Sequence, residues 1–239
     1  MCTVTTGINR LKQGVKMKQK RIGIEMPKKQ LIEFVEAAVP ITQAVTKFGG
    51  QPVWIDESAW PLSRETGNPM RFIGQIELRS EYGFNTPAKM AYLFMTEEEG
   101  GEFVDGTYEP DGGENAVILQ PGTTSVPTTN TAEGPTLFKM VSVEGHDRLQ
   151  EQPCEFQVTL NEDDEIEFVS EVDRFKMPKE KAEAVTGNFE ESKVGGSPAF
   201  MQGDEFPFEQ PCQLLLQLDS CSVPFSINFG DSGVGYAFV

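Results

Sequence analysis

The residues Gly230-Asp231-Ser232-Gly233 form the tetrapeptide that surrounds a serine-protease nucleophile, and the chain's one histidine, His146, precedes it in the order such a triad uses. A serine becomes nucleophilic only when a histidine takes its proton and a carboxylate orients that histidine. His146 lacks an Ala-Ala-His-Cys context, and Val234 interrupts the usual Gly-Pro continuation. Gly230, Asp231 and Gly233 therefore read as turn residues between strands expected at 227–229 and 234–239. Metal chemistry has as little support. One histidine and the cysteines Cys2, Cys154, Cys212 and Cys221, with no CxxC spacing, do not make a zinc site. The acidic stretches 105–114 and 162–165 offer oxygen ligands but not the EF-hand spacing, so they read as solvated loops. No GxxxxGK[ST] or GxGxxG loop is present to cradle phosphate. Among 37 acids, no pair is singled out for glycoside hydrolysis. The expectation is a chain without catalytic residues, metal or cofactor.

Recognition is the remaining class of chemistry. Trp54, Trp60 and Phe206 are large aromatics that could line a groove, although their placement favours core packing. Their positions belong to a repeat. Gly49-Gly50-Gln51-Pro52-Val53-Trp54 matches Gly195-Gly196-Ser197-Pro198-Ala199-Phe200 at an offset of 146, and Trp60-Pro61 matches Phe206-Pro207 at the same offset. Phe72–Glu77 matches Leu214–Asp219 at 142, and Tyr92–Met95 matches Tyr236–Val239 at 144. Four blocks in one order are the signature of an internal repeat. Paired glycines permit positive φ and close backbone approach, and Pro52 and Pro198 fix the exit from each turn. Gln75 and Gln217 interrupt apolar strands. A buried amide is tolerated there only if bonded, so both are expected to reach the backbone of a neighbouring turn.

The elements that carry these motifs follow from periodicity. A helix is expected from Pro27, with Leu31, Phe34, Val35 and Ala38 at helical spacing and Pro40 as its stop. Strands are expected at 72–78, 90–95, 116–120 and 136–143. Phe156, Val158 and Leu160 alternate, as do Ile166 and Phe168, which suggests a hairpin. Pro178 then opens a short helix toward Val185. The predicted class is α+β, strand-rich, with a short helix before each copy of the repeat. Residues 1–25 are expected to be a flexible basic leader and 26–239 a single unit. Its two pseudo-repeats, approximately 45–96 and 191–239, are joined by strand and loop.

Charge narrows the partners. The net charge is −17. Residues 1–29 carry eight Lys/Arg and one acid, while the remainder carries 12 bases and 36 acids. Such a body repels nucleic acid and anionic membranes and attracts a basic surface, so a basic protein is the expected partner. No apolar run reaches the roughly 20 residues of a membrane span. With no apolar signal core and no disulfide framework, a cytoplasmic protein with reduced thiols is expected. A Cys212–Cys221 disulfide is the alternative.

Together these motifs resemble the YwqG-like family, a bacterial family of unassigned function. The matching residues are Gly49–Trp54, Trp60-Pro61, Phe72–Leu78, Gly195–Gln202, Leu214–Asp219 and Gly230–Val239, spanning roughly 45–239. Phe206 and Phe229 stand where the family pattern has tryptophan. The resemblance implies a duplicated α+β fold without established enzyme activity, and some members are associated with toxin–immunity neighbourhoods. The resulting expectation is a non-enzymatic protein-binding module, immunity- or inhibitor-like. The alternative is a small-ligand binder or hydrolase using a cleft between the two repeats.

Overall fold

A computed structural model describes residues 4–6, 28–97, 104–122, 133–146, 148–207, 211–230 and 233–239. Its elements in chain order are β1 (Val4–Thr6), β2 (Lys29–Glu36), β3 (Lys47–Gly49), β4 (Arg71–Glu77), β5 (Met90–Met95), β6 (Asn115–Gln120), β7 (Phe138–Val141), β8 (Gln150–Pro153), β9 (Glu155–Asp163), α1 (Glu171–Arg174), α2 (Lys179–Ala184), β10 (Lys193–Val194), β11 (Leu214–Asp219) and β12 (Val234–Phe238). Among the described residues, strand makes up 34% and helix 7%. The α+β class with a helix before each repeat is therefore overturned; the chain is strand-dominated. Most of the expected leader lies outside the described residues, although Val4–Thr6 pairs with β12.

The helix expected from Pro27 is the strand β2. Ile32 and Phe34 pack on the core, while Glu33 and Val35 face outward. Two-residue alternation thus prevails over the helical reading of the same apolar residues. The deciding interaction is long-range: β2 pairs with β9 along its whole length, from Lys29↔Asp163 to Glu36↔Phe156. The expected hairpin of β9 with 166–168 does not form for the same reason. β2 occupies that edge, and the chain leaves for α1 and α2. Residues 227–229 form no strand either, though Gly233 N donates to Gly230 O at 3.1 Å. Asp231 and Ser232 lie outside the described residues.

Ten strands form one sheet in the order β1-β12-β11-β10-β2-β9-β3-β4-β5-β6. Its end strands β1 and β6 approach each other, so the sheet nearly closes into a barrel. β7 and β8 form a separate two-stranded ribbon. The order is symmetric about the β2–β9 pair. On one side Lys193 of β10 stands opposite Leu31; on the other Lys47 of β3 stands opposite Gln157. The leading strands are therefore exchanged. β2, which precedes β3–β5 in sequence, docks on β10, and β9, which precedes β10–β12, docks on β3.

Along β4, β5, β11 and β12 both faces of the sheet are buried. Along β5, Ala91, Leu93 and Met95 enter the main core, while Met90, Tyr92 and Phe94 enter an outer cluster with Trp54, Met70 and Phe72. On the other half, Val234, Tyr236 and Phe238 of β12 join Phe200 and Leu214 in a matching outer cluster. The main core joins the halves through Phe34, Phe48, Phe156 and Phe225, whose rings lie 5.3–6.2 Å apart. This two-faced burial explains why the strands read as continuous apolar runs.

The two glutamines tie each outer loop to the sheet by the same bonds. Gln75 Oε1 accepts from Val53 N at 2.8 Å, and its Nε2 donates to Val45 O at 2.9 Å. Gln217 Oε1 accepts from Ala199 N at 3.0 Å, and its Nε2 donates to Glu191 O at 2.9 Å. The Tyr92 hydroxyl donates to Val53 O, and that of Tyr236 to Ala199 O. The preceding glycines also correspond: φ is 70° and 64° at Gly49 and Gly50, and 70° and 78° at Gly195 and Gly196. Both glutamines are fully buried. Gln217→Ala and Gln75→Ala should each destabilise by about 1–3 kcal/mol, because backbone groups of the loop lose their partners. Chemical denaturation with unchanged m-value measures this; unaltered midpoints would contradict it.

Candidate functional site

Lysine precedes the paired glycines in both halves, in Lys47-Phe48-Gly49-Gly50 and Lys193-Val194-Gly195-Gly196. Each lysine is the residue opposite the buried glutamine, Lys47↔Gln75 and Lys193↔Gln217. β3 and β10 lie inside the sheet, so both stems are covered by neighbouring strands, and both ammonium groups must find partners under the glycine turn. Burial draws both below the usual lysine range, and the facing glutamates, Glu155 for Lys47 and Glu165 for Lys193, pull back upward.

The two halves solve this problem differently. Lys47 Nζ donates to the Gln51 carbonyl at 2.6 Å, to the Ile41 carbonyl at 3.3 Å, and to Glu155 Oε1 in direct contact. Glu155 Oε2 accepts from Ile41 N at 3.2 Å. The glycine turn closes over this carboxylate; a Cβ at Gly50 would stand 2.3 Å from Glu155 Cδ. Every donor of Lys47 is thus used.

In the second half, the residue at the place of Glu155 is Lys29 of β2, by the symmetry of the β2–β9 pair. A like charge cannot neutralise Lys193. The counter-charge comes instead from Glu165, just beyond β9, whose Oε2 lies 3.9 Å from Lys193 Nζ. That oxygen is buried without a hydrogen-bond partner among the described residues. Lys29 is held by Glu191 at 3.1 Å and Asp163 at 3.3 Å. Between these groups and α2 lies a cavity of about 240 Å³, lined by Lys29, Glu165, Asn188, Glu191, Lys193 and Ala184 among others. It exists because the β9–β10 connection runs through 29 residues and two helices, where the β2–β3 connection has ten.

The connection carries a second feature. Ser170 caps α1, its Oγ accepting from Asp173 N at 3.2 Å, and Asp204 accepts from Glu171 N. This places Val172 and Phe175 three apart on one face of the helical turn, where they are 63% and 81% exposed. Residues 161–192 hold eleven acids and four bases.

Trp54, Trp60 and Phe206 do not line one groove. Trp54 and Trp60 pack against Phe94 in one outer cluster, and Phe206 packs against Phe200 and Phe238 in the other. Trp60 Nε1 donates to Met70 O at 2.8 Å. His146 is exposed in the β7–β8 connection. Cys154 and Cys221 are free thiols, and an unpaired Cys221 removes the Cys212–Cys221 alternative. Among the described residues, no group of three or more His, Cys, Asp or Glu is assembled to hold a metal, and no helix is long and apolar enough to cross a membrane. The polar groups that the structure does assemble, Lys29, Lys47, Lys193, Glu155, Glu165 and Glu191, were not singled out by sequence motifs. The signal for two of them was the lysine two residues before each glycine pair.

A family model described as a domain of unknown function, DUF1963, matches residues 46–239. The chain belongs to the DUF1963 family. No curated protein matches it. The DUF1963 match takes in both glycine turns, both buried lysines and both glutamines, and begins after β2, so Lys29 lies outside it.

The contrast between the two lysines yields a stability test. Lys47→Met strands the Glu155 carboxylate, and removing one partner of a buried pair costs about 3–5 kcal/mol. Lys47→Met combined with Glu155→Leu should recover most of that loss, since a buried pair replaced by apolar groups is often neutral. A double-mutant cycle by denaturation reads the coupling; additive losses would contradict it.

Proposed function

We propose that this DUF1963 protein is a non-enzymatic protein-binding module of the YwqG-like group, immunity- or inhibitor-like, that works in the cytoplasm and engages a basic protein. The observation that carries the reading is the exposed pair Val172 and Phe175 on α1, set in a connection with eleven acids and four bases. A solvent-facing phenylalanine is an anchor for a partner's pocket, and the acidic residues around it supply long-range attraction and a polar rim. The free thiols of Cys154 and Cys221 fit a reducing compartment. The overall charge of −17 adds electrostatic steering toward a cationic surface.

Phe175→Asp should leave the fold intact, since the side chain is exposed, and should weaken association with a basic partner by at least about tenfold, mainly through faster dissociation. Raising ionic strength should slow association for wild type and variant alike. The measurement is surface binding kinetics against a partner captured by the wild-type chain from its native host. A captured partner that is acidic, or one held equally by Phe175→Asp, would overturn the reading.

A further inference from the structure

Each half of the sheet seals its outer face with its own loops, through Trp54 and Trp60 on one side and Phe200 and Phe206 on the other. The central pair between them carries no such cover. Ile32, Phe34, Phe156, Val158 and Leu160 turn inward to the core. Strand alternation therefore turns Leu31, Glu33 and Val35 of β2 and Gln157, Thr159 and Asn161 of β9 outward. All of these except the half-buried Leu31 are exposed, and Val35 keeps 52% of its surface. The result is a bare strip two strands wide, bordered by loops that stand above it on both sides.

Glu33 faces Thr159 across the pair. The same two residues correspond in the repeat, since Leu31 faces Lys193 as Gln157 faces Lys47. The pseudo-two-fold passes between them, and it sets a carboxylate at the middle of the strip. The acids toward its ends are already paired: Glu155 with Lys47, Asp163 with Lys29, and Glu162 with Lys28. Glu33 makes no ion pair among the described residues.

We propose that this strip seats a basic α-helix of a partner protein, laid along β2 and β9, with a lysine or arginine on Glu33 and small apolar residues on Val35. Shape, backbone chemistry and charge each argue for this occupant. From β10 across β2 and β9 to β3 there are three strand spacings, about 14 Å, and a helix with its side chains is about 10–12 Å across. The exposed run from Gln157 to Asn161 is about 14 Å long, the rise of about nine helical residues. An extended peptide has no edge to join, because β2 is bonded to β9 and β10, and β9 to β2 and β3. A helix satisfies its own backbone and needs only side-chain contacts. The unpaired Glu33 selects a cation, and Gln157, Thr159 and Asn161 offer hydrogen bonds to the polar flank of the helix. The partner chemistry is that of the reading above, but the surface shares no residue with the α1 face, so the two are tested separately.

The test is titration of the isotopically labelled full chain with a capped alanine–lysine helix of about 15 residues, followed by amide NMR at physiological salt. Saturable shifts are expected at Glu33, Val35, Gln157, Thr159 and Asn161. The same peptide with a central proline keeps its charge and loses its helix, and it should bind at least about fivefold more weakly. Glu33→Gln and Thr159→Lys, both at exposed positions, should each weaken binding by at least about fivefold. Phe175→Asp should leave it unchanged. No saturable shift on the strip, equal binding of the proline peptide, unchanged binding in Glu33→Gln, or loss of binding in Phe175→Asp would each overturn the proposal. A full chain with Lys16, Lys18, Lys20 and Arg21 changed to glutamine is measured without peptide. Shifts on the strip in that chain would assign it to the chain's own basic segment and overturn the partner helix; an unchanged strip supports it.

Discussion

β2 and β9 hold one another along eight consecutive register pairs, and this pair carries the hydrogen-bonded ladder from one half of the sheet to the other. β2 lies between β9 and β10, and β9 lies between β2 and β3. Both neighbours of β2 therefore come from the later part of the chain. An antiparallel pair at the centre of a sheet fixes register on both sides, because a one-residue slip would turn Ile32, Phe34, Phe156 and Val158 out of the core together. The four-ring cluster of Phe34, Phe48, Phe156 and Phe225 sits where that register places it. The exchange of leading strands is what makes the two halves of the sheet into one body.

Given that frame, each half must cover the outer face of its own three strands, and the glycine turn with its loop does so. The turn needs positive φ at two successive residues, and it needs anchoring. Gln75 and Gln217 supply the anchor from within the sheet. The lysine beneath each turn is a consequence of the same crowding. In one half it is neutralised by a glutamate on the exchanged strand; in the other the exchanged strand offers Lys29 instead, and the counter-charge is recruited from the longer connection. The longer connection that supplies this counter-charge also forms a polar cavity beside Lys193.

Much of this was legible in the sequence where interactions are local or repeated. The glycine pairs, the prolines and the buried glutamines stand out because their types are unusual in their surroundings. Pro178 marks the start of α2 because proline suits a helix's first turn. Strands β4, β5, β6 and β11 are visible as apolar runs bounded by turn residues. What failed was whatever depended on a distant partner. The segment 29–36 satisfies helical and strand spacing alike, and only β9 decides between them. Ile166 and Phe168 alternate like a strand, but β9 already has its neighbours. Core packing of Trp54, Trp60 and Phe206 was the favoured reading of the sequence, but their separation into two outer clusters follows from sheet order and was not legible. Lys193 and Glu165 are 28 positions apart, and nothing in either segment announces the other.

The most direct test of the exchanged-strand architecture divides the chain in the exposed connection between β7 and β8, giving fragments 1–145 and 146–239. Each fragment then keeps one leading strand and loses both of that strand's neighbours. Amide NMR spectra should show neither fragment in its native form alone, and the native spectrum of the intact chain should return on mixing equal amounts. A fragment that alone reproduces its part of the native spectrum, with β2 or β9 protected from exchange, would contradict the account.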